Sequence, residues 1–137
     1  MGFLTGLRAT LLGSQLLRFG LVGCVGFVTD AGLTILFHGS LGFGEAPARV
    51  LAFLMAATVT WWLNRQFTFQ VRTGASSWLR YVAITSVGAT INIVCYLGVL
   101  RLLGTQTQHL LAGVAVGSVV AMGFNYWASR RWIFVAS

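Results

Sequence analysis

The chain has 137 residues, of which 57% are hydrophobic and only 8% are charged. A water-soluble domain carries roughly 25% charged residues, so this chain could not cover its own surface for water. The composition excludes a soluble domain and predicts a single compact membrane unit over residues 1–137. The net charge of +7 is the balance of nine arginines against two acidic residues, and the chain has no lysine. We attribute this charge to membrane topology rather than to nucleic-acid binding.

The predicted elements begin with residues 1–17, whose apolar positions recur at helical spacing. They indicate a short helix on the membrane surface, with a disordered start as the alternative. Four apolar runs follow at about 19–37, 46–63, 81–103 and 110–127. Each is close to the ~20 residues that a helix needs to cross the hydrocarbon core. Since lipid offers no partner to unpaired backbone groups, we predict an all-α membrane protein with four transmembrane helices.

The connection over residues 65–80 is the longest and the most polar. Within it, Phe67, Phe69 and Val71 alternate with polar residues, which predicts an extended segment at the membrane interface. Cys24 and Cys95 fall inside predicted helices without the spacing of a metal site. We interpret both as small core residues.

The two halves of the chain repeat one pattern. Residues 61–69 and 126–134 share the order aromatic, aromatic, apolar, small polar, Arg, polar or basic, aromatic, any residue, Phe, at an offset of 65. The starts of the halves match at an offset of 62, where Arg18, Gly26 and Asp30 correspond to Arg80, Gly88 and Asn92. We predict two parallel two-helix repeats, about 18–69 and 80–134, related by a pseudo-two-fold axis along the membrane normal.

The arginines predict the orientation of the chain in the membrane. If four helices cross, seven arginines fall on the side of the termini, and only Arg49 and Arg101 fall on the other side. Cytoplasmic loops carry the excess of basic residues, so we predict that both termini are cytoplasmic.

Asp30 is predicted to lie near the bilayer midplane, where an ionised carboxylate costs about 2.5–3.5 kcal/mol on insertion scales. Arg49, about one turn into the second helix, is its predicted partner. Two interpretations stay open: the pair fixes the first helix against the second, or Asp30 titrates or binds a substrate hydroxyl or a cation. Its repeat mate Asn92 can hydrogen-bond across helices or to a sugar hydroxyl. Asn64 and Asn125 extend this polar set, and helix–helix hydrogen bonding is the simpler role for both.

Arg65, Arg130 and Arg131 directly follow predicted helices. They either anchor the helices beside interfacial aromatic residues or capture a phosphate, for which guanidinium geometry is well suited. The recurrence of the same neighbours in both repeats favours phosphate capture. Arg18 and Arg80, at the starts of the repeats, are assigned to the same role.

Small residues recur on the first and fourth helices at Gly20, Gly23, Gly26, Gly113, Gly117 and Ala121. We predict packing inside one four-helix bundle, with a seam between two copies as the alternative. Only two acids occur in the chain, and no nucleophile–base set, paired carboxylates or phosphate-binding loop is present. We therefore expect no enzymatic activity, no metal and no cofactor.

Four motifs, in order, resemble the GtrA-like family. They are the run from Arg18 to Asp30, Ala48-Arg49, the run from Leu63 to Phe69, and the run from Asn125 to Phe134. The resemblance covers about residues 18–134. One position departs from the family pattern, because Ser129 stands where the family usually has Asn.

The resemblance implies a four-helix protein of the bacterial inner membrane that works in cell-surface polysaccharide synthesis. Its expected activity is flippase-type translocation of a polyprenyl-phosphate-linked sugar that a glycosyltransferase makes on the cytoplasmic side. Under this hypothesis the cytoplasmic arginines gather the phosphate, and Arg49 and Arg101 receive it on the outer side. Asp30, Asn92 and Asn125 pair with sugar hydroxyls between them.

Two alternatives remain at this point. One is a membrane scaffold that recruits a glycosyltransferase without moving lipid, and the other is a small proton-coupled exporter. Because four helices enclose little volume, we expect a homo-oligomer or a complex with a glycosyltransferase, surrounded by membrane lipids.

Overall fold

The computed structural model describes residues 1–6 and 14–135, and within these ranges it contains helices and no strand. Helix α1 spans Gln15–Thr34 and continues as a π-helical turn over Ile35–Ser40. Helix α2 spans Glu45–Leu63 and continues as a π-helical turn over Asn64–Thr68. Helices α3 and α4 span Ser76–Leu103 and Thr107–Trp132.

The four helical segments are long and apolar enough to cross a membrane, with 26, 24, 28 and 26 residues. The protein is therefore an all-α, multi-pass membrane protein, as predicted. Of the predicted surface helix, residues 2–6 are helical, and residues 7–13 lie outside the described residues.

Local sequence explains where the helices begin and end. The Ser14 hydroxyl accepts a hydrogen bond from the Leu17 backbone N–H at 3.4 Å, which caps α1. Pro47 lies in the first turn of α2, where its missing N–H leaves no helical bond unmade. Gly104 ends α3 with a φ of 96°, which favours glycine.

The segment after α2 differs from its prediction. The helix does not stop at Leu63 but widens into a π-helical turn, closed by a 2.9 Å bond from the Phe69 N–H to the Asn64 carbonyl. This turn places the Phe69 ring inside the bundle, whereas Phe67 stays exposed. The expectation of an extended interfacial segment is therefore wrong for residues 65–69. The alternating pattern reflected a wide helical turn with one aromatic residue facing inward.

The two repeats form two helical hairpins, α1 with α2 and α3 with α4, which hold the most extensive packing in the bundle. The equivalent rings Phe69 and Phe134 stack on each other with centroids 4.7 Å apart. Phe19 meets Phe69 edge-on at 6.1 Å, and Tyr81 meets Phe134 edge-on at 6.2 Å. Such matched pairs are what a two-fold axis passing between Phe69 and Phe134 would produce.

The small residues of α4 pack inside the bundle. A Cβ added at Gly113 would lie 2.9 Å from the Tyr96 ring, and one added at Gly117 would lie 2.6 Å from the Asn92 carbonyl oxygen. These positions therefore serve the α3–α4 contact, as predicted for packing within one bundle. Gly23 on α1 has open space around it instead. Cys24 is exposed, so its interpretation as a core residue is wrong, while Cys95 is half-buried.

Candidate functional site

A cavity of about 320 Å³ lies between the two hairpins, with lining residues from all four helices. Most of its lining residues occupy equivalent positions in the two repeats, so the cavity lies where the two halves of the protein meet. The pairs are Gly26 with Gly88, Phe27 with Ala89, Asp30 with Asn92, Ala56 with Ala121, and Thr60 with Asn125. Four of the predicted site residues, Asp30, Arg49, Asn92 and Asn125, therefore line one space.

The predicted pairing of Asp30 with Arg49 is confirmed. Arg49 Nη1 donates to Asp30 Oδ2 at 3.0 Å and to Thr34 Oγ1 at 3.2 Å. The carboxylate side chain is 23% exposed and the arginine side chain 56% exposed. This is the single ion pair among the residues that the structure describes, and it offsets the cost of holding a carboxylate within an apolar span.

Two buried oxygens at the cavity have no hydrogen-bond partner within the described part of the chain. They are Oδ1 of Asp30 and Oδ1 of Asn125. An unsatisfied buried polar group costs about 1–3 kcal/mol, so such groups usually meet a partner that protein atoms alone do not supply. Both atoms are acceptors. The cavity is therefore suited to a group that brings hydrogen-bond donors, such as a hydroxyl.

In each hairpin a glycine makes room for a polar side chain that reaches the cavity. A Cβ added at Gly88 would lie 2.6 Å from the side-chain carbon of the Asn125 amide. A Cβ added at the equivalent Gly26 would lie 2.5 Å from Thr60 Cγ2. Sequence reasoning missed Thr60, although its position as the repeat mate of Asn125 could have revealed it.

The two halves differ chemically at this cavity. Asp30 brings a charged pair with Arg49, whereas its mate Asn92 is neutral and leans against α4 at Gly117. The position equivalent to Arg49 in α4 is Val114. The cavity thus has one ionic wall and one amide wall.

Asn64 belongs to a different environment from the cavity. It is 1% exposed; its Nδ2 donates to Tyr81 Oη at 3.0 Å, and its Oδ1 accepts from Thr68 Oγ1 at 2.8 Å. The structure does not bring Asn64 to the cavity, and substrate binding by this residue stays a prediction. Ser129, the repeat mate of Asn64, is also fully buried. Asn64 links α2 to α3 through Tyr81, whereas the Ser129 hydroxyl has no hydrogen-bond partner among the described residues.

The predicted arginines do not form one cluster. Arg65 lies over the Trp61 ring at 5.5 Å and lines a recess of about 420 Å³ together with Arg72. Arg130 and Arg131 line a separate recess of about 340 Å³ with Trp127. The two recesses share no residue, because the repeat places Arg65 and Arg130 on different hairpins.

The remaining two predicted arginines lie outside both recesses. Arg18 is half-buried in the first turn of α1, and its Nε has no partner among the described residues. Arg80 is exposed in α3. Arg72 was not among the predicted site residues. Its position in a loop, outside the repeated motif, gave it no signal in the sequence.

A family model described as GtrA/DPMS, transmembrane domain, matches residues 18–134. This is the range over which the four motifs were found. No curated protein matches the chain.

Proposed function

Because this chain belongs to the GtrA/DPMS transmembrane-domain family, a group of membrane proteins in glycosylation pathways, we propose that it translocates a polyprenyl-phosphate-linked sugar. The membrane we propose is the bacterial inner membrane. The observation that carries this proposal is the polar cavity between the two repeats. Its lining joins Asp30, Arg49, Asn92 and Asn125, and two of its acceptors are unsatisfied.

The cavity chemistry suits a sugar head group. Sugar hydroxyls can donate to the free oxygens of Asp30 and Asn125, and they can also pair with the amide of Asn92. The Asp30–Arg49 pair keeps the wall neutral overall, so an uncharged ring can enter without meeting an isolated charge. We propose binding and passage without bond chemistry, which agrees with a chain that holds only two acids.

The arginine recesses suit the phosphate. In the proposed orientation, both recesses and both termini face the cytoplasm, where the lipid-linked sugar is made. Arg65 with Arg72, and Arg130 with Arg131, then offer paired guanidinium groups to a phosphate at the membrane surface. Sided labelling checks the orientation. A Cys introduced at Arg72 should react with an impermeant thiol reagent from the cytoplasmic side only, and one at Gln106 from the opposite side.

A reconstituted assay tests the function. Purified protein in liposomes should move a labelled polyprenyl-phosphate sugar between leaflets, and Asp30→Ala or Asn125→Ala should slow this movement by about tenfold, the effect of losing one strong hydrogen bond. Val25→Ala is the matched control, because Val25 is on α1 but 45% exposed. Wild-type rates in both cavity variants would refute the proposed path.

A scaffold is the second candidate function, and one observation favours it. The repeat mates Phe67 and Trp132 are 55% and 50% exposed, so each hairpin presents an aromatic side chain at the same end. These side chains could dock a glycosyltransferase. In that case, Phe67→Ser and Trp132→Ser would abolish polysaccharide synthesis in cells, while Asp30→Ala would be tolerated. Trp78 is half-buried, and its Nε1 donates to Thr58 Oγ1 at 2.9 Å.

We propose that the working protein is a homo-oligomer or a complex with the glycosyltransferase. A single cavity of about 320 Å³ is small for a sugar that must pass through the whole membrane. Native mass measurement in nanodiscs tests this proposal. An active species with the mass of one chain would exclude it.

A further inference from the structure

A second space adjoins the polar cavity along the seam between α2 and α3. This α2–α3 groove has a volume of about 410 Å³ and is lined by Arg49, Val50, Phe53, Leu54, Val82 and Ser86. Its lining is mostly apolar. Two of these residues, Arg49 and Phe53, also line the polar cavity. The two spaces are therefore neighbours that meet at one cation and one aromatic ring.

Hydrogen bonds join α2 and α3 at one end of the seam, and the groove lies farther along it. Trp61 Nε1 donates to Ser77 Oγ at 2.9 Å, and Trp78 Nε1 donates to Thr58 Oγ1 at 2.9 Å. These bonds hold α2 against α3 near the loop that joins them. From Leu54 toward Arg49 the seam holds the groove instead.

We propose that the α2–α3 groove binds the first part of the apolar tail of a lipid phosphate whose head group occupies the polar cavity. Arg49 contacts the phosphate at the junction. This inference rests on the proposed function and identifies where a substrate with a polar head and an apolar tail would lie.

The position and bonding of Arg49 support the phosphate contact. Its side chain is 56% exposed, and both of its hydrogen bonds use Nη1. Within the described residues, Nη2 and Nε therefore remain for a further acceptor. A phosphate linking head and tail would lie at the junction of the two spaces, and a guanidinium there gives the matching charge and geometry.

The groove also differs between the two halves of the protein. At the positions equivalent to Arg49 and Phe53, α4 carries Val114 and Ser118. The equivalent seam, between α4 and α1, thus has no guanidinium or aromatic ring at those positions. The proposed tail site is consequently one-sided, and a bound lipid would leave the bundle between α2 and α3.

Binding measurements in nanodiscs test the proposal independently of transport. The probes are a labelled geranylgeranyl phosphate, the corresponding alcohol without phosphate, and inorganic phosphate as a competitor. The wild type should bind the prenyl phosphate about tenfold more tightly than the alcohol. Competition by inorganic phosphate as effective as by unlabelled prenyl phosphate would overturn the tail site.

Two variants separate the tail from the phosphate. Ser86→Trp fills the groove and should weaken binding of both prenyl probes, whereas Val87→Trp on the same helix, 49% exposed, should not. The double variant Asp30→Asn/Arg49→Gln removes both charges together, which avoids an unpaired charge. It should abolish the preference for phosphate over alcohol.

The outcomes distinguish this inference from the proposed function. If Ser86→Trp binds the prenyl phosphate as tightly as the wild type does, the tail site is overturned, even if translocation in liposomes is real. If binding depends on Ser86 and Arg49 but no lipid crosses the bilayer, the site stands and the flippase proposal fails.

Discussion

Phe69 and Phe134 stack on each other with ring centroids 4.7 Å apart and ring planes 9° from parallel. They are equivalent residues of the two repeats, 65 positions apart, and both are less than 10% exposed. Each backbone N–H closes a π-type bond at 2.9 Å, from Phe69 to Asn64 and from Phe134 to Ser129. The same local turn in both repeats thus brings the two rings together where the hairpins meet.

The stack should contribute to stability as a pair. Phe69→Ala and Phe134→Ala should each lower the free energy of unfolding by about 2 kcal/mol, because each leaves a cavity in the bundle. The loss is smaller than in a water-soluble protein, since the ring is transferred from the bundle to apolar lipid rather than to water. The double variant should lose about 1 kcal/mol less than the sum of the single variants. Unfolding in mixed micelles measures this coupling. Phe67→Ala, at a 55% exposed ring, is the control and should change little.

Gly88 should not tolerate a methyl group. In Gly88→Ala the new Cβ would overlap the Asn125 side chain, which should destabilise the protein by about 1–3 kcal/mol. Gly98→Ala is the matched control on the same helix, because nothing lies within 4 Å of its added Cβ. It should be neutral or stabilising by up to about 1 kcal/mol. Equal effects of the two substitutions on thermal unfolding would contradict the packing described at Asn125.

Asn64 and Asn125 should respond differently to the same substitution. Asn64→Ala leaves Tyr81 and Thr68 without their partner, so it should destabilise by about 1–3 kcal/mol. Its translocation rate per folded molecule should equal that of the wild type. Asn125→Ala should show the reverse, with a slower rate and a smaller loss of stability. The measurement is the translocation rate normalised to the amount of folded protein. A slower rate for Asn64→Ala than for Asn125→Ala would contradict the different roles expected for the two residues.

The Asp30–Arg49 pair should show strong coupling. Asp30→Asn and Arg49→Gln should each destabilise by about 2 kcal/mol, because each leaves one charge unpaired within the span. The double variant should be more stable than either single variant. Denaturation of all four proteins in the same detergent completes the cycle. Arg101→Gln, at an exposed residue in the last turn of α3, serves as the control and should stay within about 0.5 kcal/mol of the wild type.

The sequence determined the features that run along each helix. Hydropathy and length predicted the four spans, since crossing a fixed apolar thickness requires a minimum number of apolar residues. The cost of a carboxylate in lipid predicted a partner for Asp30, and Arg49 is that partner. The repeat offsets predicted which residues of the two halves are equivalent, and the Phe69–Phe134 stack joins such equivalents.

The tertiary structure decided which face each residue presents. Asn64 and Asn125 look alike in sequence, yet one is enclosed by Tyr81 and Thr68 while the other lines the cavity. Arg65 and Arg130 are equivalent, yet they line separate recesses. The reason is that hydropathy and spacing measure position along a helix axis. The rotation of a helix about that axis, and hence what its side chains meet, is set by close packing against its neighbours.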